Sequence, residues 1–443
     1  MKSLLNSVKR GYYADSVALM RIARELQKDG TEASLMIGTP SNKALLKQSG
    51  LLTREGEGAR PDDLIIAVKG KNAEKVLLLA ESLLTSKSPE EKTTPSTIED
   101  PNLVLISVPG AFAAAEARKA LEQGMHAMVF SDNVPLKDEV ALKKLAASKG
   151  LLLMGPDCGT ALIAGVPLAF ANAVPRGDTG IVSASGTGLQ EVSSLLARSG
   201  RGVSHGIGVG GRDLSKEVGG LMTLAALDML EQDPATKRII VISKPPAQAV
   251  TKKVLRKVKN LSKPVTLCLL GSDRKLGFAR TLEAVVRKSG KEKPLKKKVK
   301  GRIAGLFCGG TLCAEAGIVL KDCGLPARAY SLLDLGADEY TQGRPHPMIE
   351  PELRNEHIAR ALKDSKVGVV LLDVVIGYGA HADPAGLLLD LLKKNKKIVI
   401  ASVTGTEDDP QVYSKQVKTL RNAGVIVAGS NAAAARLAAS AVR

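Results

Sequence analysis

The chain has very few aromatic side chains. Only 2% of its 443 residues are Phe, Tyr or Trp, and Trp does not occur. Proteins that bind single-stranded nucleic acid usually stack the bases on aromatic rings, and six Tyr and five Phe over this length offer no such platform. The net charge of +18 is concentrated in two stretches, 251–263 and 291–302, which we interpret as a solvated helix face and a basic linker. We therefore expect no nucleic-acid partner. The charge excess would help to attract small anionic substrates.

Cysteines and long apolar runs are also scarce. The five cysteines include no CxxC pair and have no His at ligand spacing, so neither a metal site nor a disulfide framework is predicted. A reactive role for Cys308 or Cys313, which lie beside a glycine turn, is only weakly indicated. No apolar run approaches the ~20 residues of a membrane helix, and no signal peptide is present. We expect a cytoplasmic protein with no membrane partner.

What the chain has in abundance is alternation. Short apolar runs bounded by glycine alternate with helical patterns of about 10–16 residues, which is typical of parallel sheets with crossover helices. Strands are predicted in the first segment at SLLNSVK, LMIG and LIIAVKG. Similar strand–helix repeats begin near residues 102, 179 and 301. The sequence therefore predicts an α/β fold of three successive doubly wound units, with a divergent segment at the start.

One strand ends in a turn made almost entirely of small residues. The stretch IVSASGTGLQEV (181–192) places Ser185, Gly186, Thr187 and Gly188 at the start of a predicted helix. A helix start carries amides without intrahelical partners and a partial positive charge, so it can receive a phosphate or carboxylate where side chains do not block it. A tight turn with Ser or Thr as the helix cap is the alternative.

A second stretch repeats this design. In IAGLFCGGTLCAEAG (303–317), a strand ends at Gly309, Gly310 and Thr311, and an alanine-containing helix follows. Each helix carries a glutamate four residues after its threonine, namely Glu191 and Glu315. Two such helix starts in successive units favour a single anion site between them.

Other polar residues follow predicted strands, where ligands of open α/β sheets bind. Lys244 comes directly after VIS, Arg212 lies in the glycine-rich loop 206–220, and Asp373 lies within LLDVVIGYG (371–379). Arg344 and His346 lie in a loop stiffened by two prolines. For each residue singly, a capping or surface role is the alternative. The remaining histidines have no partner at metal spacing and are interpreted as ordinary: His126, His205, His357 and His381.

The order of these motifs resembles the FdrA family, a branch of the succinyl-CoA-synthetase-like proteins. The motifs that carry the resemblance are MIGTPSNKALL, FSDNVPLKDEV, MGPDCGTALIAGVPLAFAN, SASGTG, GIGVGGRDLSKEVGG, SKPPAQAV, GGTLCAEA, YTQGRPHPMIEPELRN, LLDVVIGYGAHADP and VTGTEDDP. The resemblance implies a CoA-binding-like Rossmann domain at 1–175, divergent over 1–100 with a linker at 86–101. It also implies a flavodoxin-like domain at 176–295, similar to the synthetase α subunit. The last domain, 296–443, would be similar to the carboxy-terminal domain of the β subunit.

Departures from the synthetase pattern bear on function. The resemblance places the synthetases' phosphorylated histidine in the region SDRKLGFARTLEAVV (272–286), which contains no histidine. Lys244 stands where the synthetases have the glutamate that steadies that histidine, and an ammonium suits a free anion. CoA is possible but doubtful, because SVKRGYYADSV (7–17) holds only Gly11. An ATP-grasp domain is missing, so the chain alone is not expected to be a complete ATP-dependent ligase.

The resemblance implies a subunit of a carbamoyltransferase, which exchanges oxamate and carbamoyl phosphate with oxalurate and phosphate in purine-nitrogen (allantoin) catabolism. Such a reaction needs no protein nucleophile and no cofactor. Lys244, Arg344 and His346 would be catalytic, and the two turns with Arg212 and Asp373 would bind substrate. Accessory subunits, a homo-oligomer, or both are expected. The alternatives are an acid–thiol ligase of the synthetase type, a non-catalytic metabolite-binding scaffold and, last, an RNA-binding protein.

Overall fold

The computed structural model describes residues 3–12, 19, 22–23, 25–27, 30–61, 63–86, 101–108, 110–273, 277–286, 292–341, 345–393 and 395–442. The chain divides into two compact units, residues 1–101 and 102–443. No helix in these ranges is both long enough and apolar enough to cross a bilayer.

The first unit is built on a three-stranded antiparallel sheet. Its strands are β1 (Ser3–Lys9), β2 (Glu32–Ile37) and β3 (Leu64–Gly70), in the order β1-β3-β2. Its helices are Pro40–Gln48, Arg54–Glu57 and Ala73–Ser86. The central strand β3 forms the core, and residues 64–68 are completely buried.

The strands predicted for this segment are confirmed, but their parallel arrangement is wrong. Strand β3 runs antiparallel to both neighbours, with Ser3 opposite Gly70 and Glu32 opposite Lys69. Strands β1 and β2 therefore point the same way with β3 inserted between them, which is a split βαβ arrangement. A pattern of alternating strands and helices fits this arrangement as well as a doubly wound sheet, since it does not encode the direction of the inserted strand.

The second unit begins with a small parallel sheet. Its strands are β4 (Leu103–Ile106), β5 (His126–Val129) and β6 (Leu153–Met154), in that order, with the helices Gly110–Glu122 and Leu136–Ser148 between them. These elements agree with the predicted strand–helix repeats from residue 102 onward.

A six-stranded sheet follows. Its strands are β7 (Thr160–Ile163), β8 (Val166–Ala169), β9 (Arg176–Ser183), β10 (Val203–Gly208), β11 (Arg238–Ser243) and β12 (Val265–Leu269). The order is β12-β11-β9-β10-β7-β8, with β9 to β12 parallel, β7 antiparallel to its neighbour β10, and β8 antiparallel to β7. Its helices are Gly186–Arg198, Leu221–Gln232 and Gln248–Lys259, and a 3-10 turn spans Glu283–Val285. Strands β7 and β8 precede residue 175 and yet belong to this sheet, and the three-domain division remains a prediction.

The last sheet is entirely parallel. Its strands are β13 (Arg302–Phe307), β14 (Tyr330–Asp334), β15 (Val367–Val375), β16 (Ile398–Thr404) and β17 (Ile426–Ala428), in the order β14-β13-β15-β16-β17. Its helices are Gly310–Asp322, Asp338–Thr341, Glu352–Lys363, Leu389–Leu392, Tyr413–Asn422 and Asn431–Val442, with 3-10 turns at Ala327–Ala329 and Gly386–Leu388. The central strand β15 is buried along its whole length, as expected for a parallel strand covered on both faces. The predicted α/β class is confirmed.

Candidate functional site

The first turn, residues 183–188, joins strand β9 to a buried helix. Ser185 caps the helix Gly186–Arg198, and its hydroxyl accepts a hydrogen bond from the Gly188 amide at 2.9 Å. The Ser183 hydroxyl donates to the Ser185 carbonyl at 2.7 Å. The cap satisfies one of the amides that a helix start leaves without an intrahelical partner. The helix cap of the first turn is therefore supplied from within the turn itself.

The second turn, residues 308–311, joins strand β13 to the helix Gly310–Asp322 and is held differently. Its cap residue, Gly309, has no side chain to accept a bond. The carboxylate of Asp373, from strand β15, instead holds the two residues before the helix, accepting the Cys308 amide at 2.9 Å and the Gly309 amide at 2.8 Å. The second turn therefore depends on a residue from another strand.

Asp373 is completely buried and is paired with Arg354, which is 2% exposed. One guanidinium nitrogen of Arg354 donates to the Asp373 carboxylate at 2.7 Å and to the Asp373 carbonyl at 2.6 Å. The Cys308 thiol donates to the same carboxylate at 3.3 Å. We predicted Asp373 to bind substrate, but its oxygens are already bound inside the protein, so the structure favours a supporting role. Sequence reasoning missed Arg354, which looks like any arginine of an amphipathic helix.

The two turns meet. The hydroxyl oxygens of Ser185 and Thr311 lie 2.6 Å apart. A Cβ added to Gly309 would lie 3.1 Å from the methyl carbon of Thr187. The prediction that the two helix starts are neighbours is thereby confirmed. Both helix ends bring partial positive charge to the same place, and both offer amides that have no intrahelical acceptor.

A carboxylate borders the second turn. A Cβ on Gly310 would lie 2.3 Å from one oxygen of Asp334, at the end of strand β14. The other oxygen of Asp334 accepts the Gly336 amide at 3.1 Å. Glycine at 310 therefore permits this close approach. Any anion at the second turn has to be balanced against the charge of Asp334.

Behind the turns, Asn431 is hydrogen-bonded to both helices, 186–198 and 310–322. The backbone amide of Asn431 donates to Glu191 at 3.2 Å, and the side-chain nitrogen of Asn431 donates to Glu315 at 2.7 Å. Glu191 also accepts from the Thr404 hydroxyl at 2.5 Å, and Glu315 from the Leu282 amide at 2.6 Å. Both carboxyl groups are buried. Burial raises the pKa of Glu315 to about 8, assisted by the nearby charge of Glu191. The predicted pair of glutamates therefore supports the turns from behind.

Lys244 is exposed directly after strand β11, as its position in the sequence suggested. Burial raises the pKa of the Cys313 thiol to about 12, and the charges of Asp334 and Asp373 add to this. The positive charge of Lys244 acts on the same thiol in the opposite direction. Because Cys313 lies in the first turn of helix 310–322, Lys244 is within electrostatic range of the second turn.

His346 packs beside the second turn. A Cβ added to Gly336 would lie 2.4 Å from Nε2 of His346 and 2.5 Å from the Cys308 carbonyl oxygen. Nδ1 of the ring accepts the Met348 amide at 3.1 Å, so the ring proton of the neutral form is on Nε2. Burial lowers the pKa of His346 to about 4. The imidazole is therefore a neutral donor at physiological pH. Arg344 lies outside the described residues.

Arg212 is not placed with these residues. Its Nε lies 2.8 Å from a carboxylate oxygen of the buried Glu139, and its Nη2 donates to the Val134 carbonyl at 2.8 Å. Glu139 also lies 2.9 Å from Lys143, which in turn pairs with Asp213 at 2.9 Å. The substrate-clamp role of Arg212 therefore stays a prediction, and the contacts of its guanidinium with Glu139 and Val134 give it a structural role. It closes an ionic cluster that fastens the helix 136–148 to the loop after strand β10.

Cys158 and Cys308 are buried and are not placed to act as nucleophiles. All five are free thiols. Burial raises the pKa of Cys158 to about 12 and raises that of Cys308 well above its usual value. Since the thiolate is the reactive form, these thiols are inert at neutral pH. Within the described residues, no group of three or more Cys, His, Asp or Glu side chains is placed to hold a metal ion.

The segment that replaces the synthetases' histidine region is fastened to the last sheet's first helix. Arg280 donates to both oxygens of Asp322 at 3.0 and 2.9 Å. The Leu282 amide is bound by Glu315, and the Cys268 thiol donates to the Thr281 carbonyl at 3.4 Å. Within residues 277–286, the segment is thus joined to the helix 310–322 through Arg280 and Leu282, and to strand β12 through Thr281.

Three family models match the chain. The model described as "CoA-ligase" matches residues 306–441, and the "CoA binding domain" model matches residues 176–268. The model described as "AllF, heavy metal-associated domain" matches residues 1–101. The CoA-binding match falls on the six-stranded sheet, whereas we predicted the CoA-binding-like domain at 1–175.

The name of the third model raises the question of a metal in the first unit. Residues 1–101 contain neither cysteine nor histidine. Soft metals are held in proteins mainly by thiolate and imidazole ligands. The residues present therefore do not fit such a metal, and no step of the proposal below involves one.

Individual relatives cover the chain to different extents. The chain is 41% identical over 493 aligned positions to the uncharacterized protein YahF of Escherichia coli (strain K12), and the match covers 96% of each chain. It is 29% identical over 171 residues to the ADP-forming succinate–CoA ligase subunit alpha 1 of Archaeoglobus fulgidus, which covers 38% of this chain and 57% of that subunit. It is 33% identical over 147 residues to the corresponding subunit of Aquifex aeolicus, covering 32% and 47%.

Proposed function

The chain belongs to the FdrA family of succinyl-CoA-synthetase-like proteins, and on that premise we propose that it is a subunit of a carbamoyltransferase acting on small anions. The observation that carries the proposal is the contact between the two helix starts, where the Ser185 and Thr311 hydroxyls lie 2.6 Å apart. A phosphate group is the ligand best suited to two such starts, because backbone amides and helix dipoles both favour it.

The reaction would proceed without a covalent enzyme intermediate. An oxygen of inorganic phosphate attacks the carbamoyl carbon of oxalurate, the carbon–nitrogen bond to oxamate breaks, and the leaving nitrogen takes up the phosphate proton. Carbamoyl phosphate and oxamate are the products. Direct transfer of this kind relies on positioning and on donors aimed at the developing oxyanion.

The residues of the site have distinct proposed roles. Amides of residues 186–187 and 310–312 would hold the phosphate, with the hydroxyls of Ser185 and Thr311 beside them. Lys244 would offset charge on the phosphate or the carbonyl oxygen. The neutral His346, whose Nε2 carries the proton, would donate to the carbonyl oxygen. Arg344 remains a predicted catalytic residue that would offset developing oxyanion charge.

The missing histidine supports direct transfer. Residues 272–286 contain none, and Arg280 and Leu282 of that segment are bound to the neighbouring helix. A phosphorylated carrier at this position would need both a histidine and freedom to reach the substrate.

The experiment measures carbamoyl phosphate formation from oxalurate and phosphate, with the full chain alone and with accessory subunits. We expect turnover in at least one condition and a loss of about 100-fold in Thr311→Val, because a hydroxyl and its turn geometry are removed. Thr251→Val, on the outer helix 248–259, is the matched control and should retain activity. Absence of turnover in both conditions would contradict the proposal.

An acid–thiol ligase is the second candidate, and the CoA-ligase and CoA-binding matches favour it. This reading predicts that CoA raises the melting temperature and that CoA, ATP and a carboxylic acid yield a thioester when a nucleotide-binding partner is supplied. If thioester forms and carbamoyl phosphate does not, the ranking of the two candidates reverses.

A further inference from the structure

From the buried pair behind the second turn, we infer that Arg354 is a positioning residue that allows an anion to bind there. It neutralises Asp373, so that this carboxylate can hold the turn without repelling the substrate. The inference rests on the proposed function, since it assigns the charge balance of the same site.

Asp373 stands close to the place where the anion would bind. Its carboxylate accepts the Cys308 and Gly309 amides, and a Cβ added to Gly309 would lie only 3.2 Å from one of its oxygens. The next residues along the chain are the ones whose amides face the proposed phosphate. Two negative groups would therefore lie on either side of one peptide segment.

Burial makes this arrangement sensitive to the counter-charge. Asp373 is completely buried and Arg354 is 2% exposed, so water contributes little screening between the carboxylate and the anion site. With Arg354 in place, the pair is neutral as a whole. Without it, a buried uncompensated carboxylate would oppose the approach of a phosphate.

The first turn shows why a counter-charge is needed only at the second. Ser185 holds the Gly188 amide with a neutral hydroxyl, which does not repel an anion. The second turn is held by the full negative charge of Asp373. Arg354 neutralises that charge, so that the second turn, like the first, has no net charge next to the anion.

The test compares three variants with the wild type: Arg354→Met, Asp373→Asn, and the two combined. In the double variant, Asn Oδ1 can take the place of the Asp373 oxygen that lies 3.2 and 2.8 Å from the Cys308 and Gly309 amides, so the turn keeps its acceptor. Arg302→Met is the matched control, because it removes a surface pair with Asp364 in the same sheet unit.

Binding of inorganic phosphate and of carbamoyl phosphate to the full chain is measured by calorimetry, and KM and kcat are measured where turnover is present. We expect Arg354→Met to weaken phosphate binding about 10- to 100-fold and to raise KM more than it lowers kcat. The double variant should bind within about threefold of wild type, because neutrality and the acceptor are both restored. Arg302→Met should not differ from wild type.

Equal loss in Arg354→Met and in the double variant would overturn the inference, since it would show that the pair only maintains the fold. If Arg354→Met does not fold, Arg354→Lys and the double variant decide: both should bind phosphate within about threefold of wild type, and a tenfold loss in the double variant contradicts the inference. Absence of phosphate binding by the wild type would contradict the proposed function itself, which distinguishes the two failures.

Discussion

The first and second turns solve the same structural problem in different ways. Both follow a buried parallel strand, both begin a 13-residue helix, and both contribute a hydroxyl to their 2.6 Å contact. The first is capped by Ser185 from within the turn. The second is held by Asp373, which binds the amides just before the helix and whose charge is balanced by Arg354.

The difference shows which residues keep each turn of an anion site in place. A serine cap is local and neutral, so its effect ends with the turn. The position of Gly309 depends on Asp373 from strand β15 and, through the buried ion pair, on Arg354 from the helix 352–363. We expect the second turn to be the more sensitive half of the site, and the predictions below test that expectation.

The largest effect on stability is expected at Asn431, which is hydrogen-bonded to the helices of both turns. Asn431→Asp would place a third carboxyl group against Glu191 and Glu315, which are both buried. We expect the free energy of unfolding at pH 8 to fall by about 3–5 kcal/mol, the cost of an uncompensated buried charge. Urea denaturation measures it, with the exposed Asn260→Asp as the control. A loss below about 1 kcal/mol would mean that the two glutamates are not joined as described.

The two caps should differ in their contribution to stability. Ser185→Ala removes a local cap and should cost about 1 kcal/mol. Asp373→Ala leaves Arg354 buried without its partner and should cost about 3–5 kcal/mol. Thermal and urea denaturation of the two variants give the comparison directly. Similar losses in both would remove the distinction between a local and a distant cap.

A smaller effect distinguishes the glutamate behind the second turn by its pH dependence. The pKa of Glu315 is raised to about 8, from an ordinary value of 4.5. Between these values the folded state holds a proton that the unfolded state has lost. The contribution of Glu315 to stability is therefore full below pH 4.5 and is lost as the pH rises to about 8.

Glu315→Gln should remove this dependence. Relative to the variant, the wild type should lose about 1–2 kcal/mol of unfolding free energy between pH 6.5 and 8. The half-buried His346, with its pKa lowered to about 4, has the opposite slope, but it acts as the pH falls from 6.5 toward 4 and does not affect stability between pH 6.5 and 8. Parallel stability curves for wild type and variant from pH 6.5 to 8 would contradict the prediction.

The smallest effect is expected from Lys244, the exposed cation near the second turn. Lys244→Met should raise KM for carbamoyl phosphate about three- to tenfold and leave the unfolding free energy within about 0.5 kcal/mol, since an exposed lysine acts through a screened charge. The KM difference should shrink in 0.5 M salt. Lys253→Met, on the outer basic helix, is the control. Equal KM values in the two variants would exclude Lys244 from the site.

How much could be predicted from the sequence depended on whether the signal was local. SASGTG and CGGT show a strand end, small residues and a helix start within a few positions, and the structure brings them together as predicted. Asp373 and Arg354 act on a turn more than forty residues away along the chain, and no local pattern indicates which turn that is. The pairing depends on strands β13 and β15 being neighbours in the sheet.

Two predictions show what a local pattern leaves open. Arg212 was predicted to clamp substrate because an arginine in a glycine-rich loop after a strand looks the same whether it faces a ligand or a buried carboxylate such as Glu139. The first unit was predicted to be parallel because alternation of strands and helices does not show that β3 is inserted antiparallel between β1 and β2.

The most direct measurement is a crystal structure of the full chain soaked with carbamoyl phosphate, together with any accessory subunit needed for turnover. The account predicts a phosphate group bound by amides of residues 186–187 and 310–312, beside the Ser185 and Thr311 hydroxyls, with no covalent bond to the protein. A phosphate held elsewhere, or a phosphorylated side chain, would contradict it.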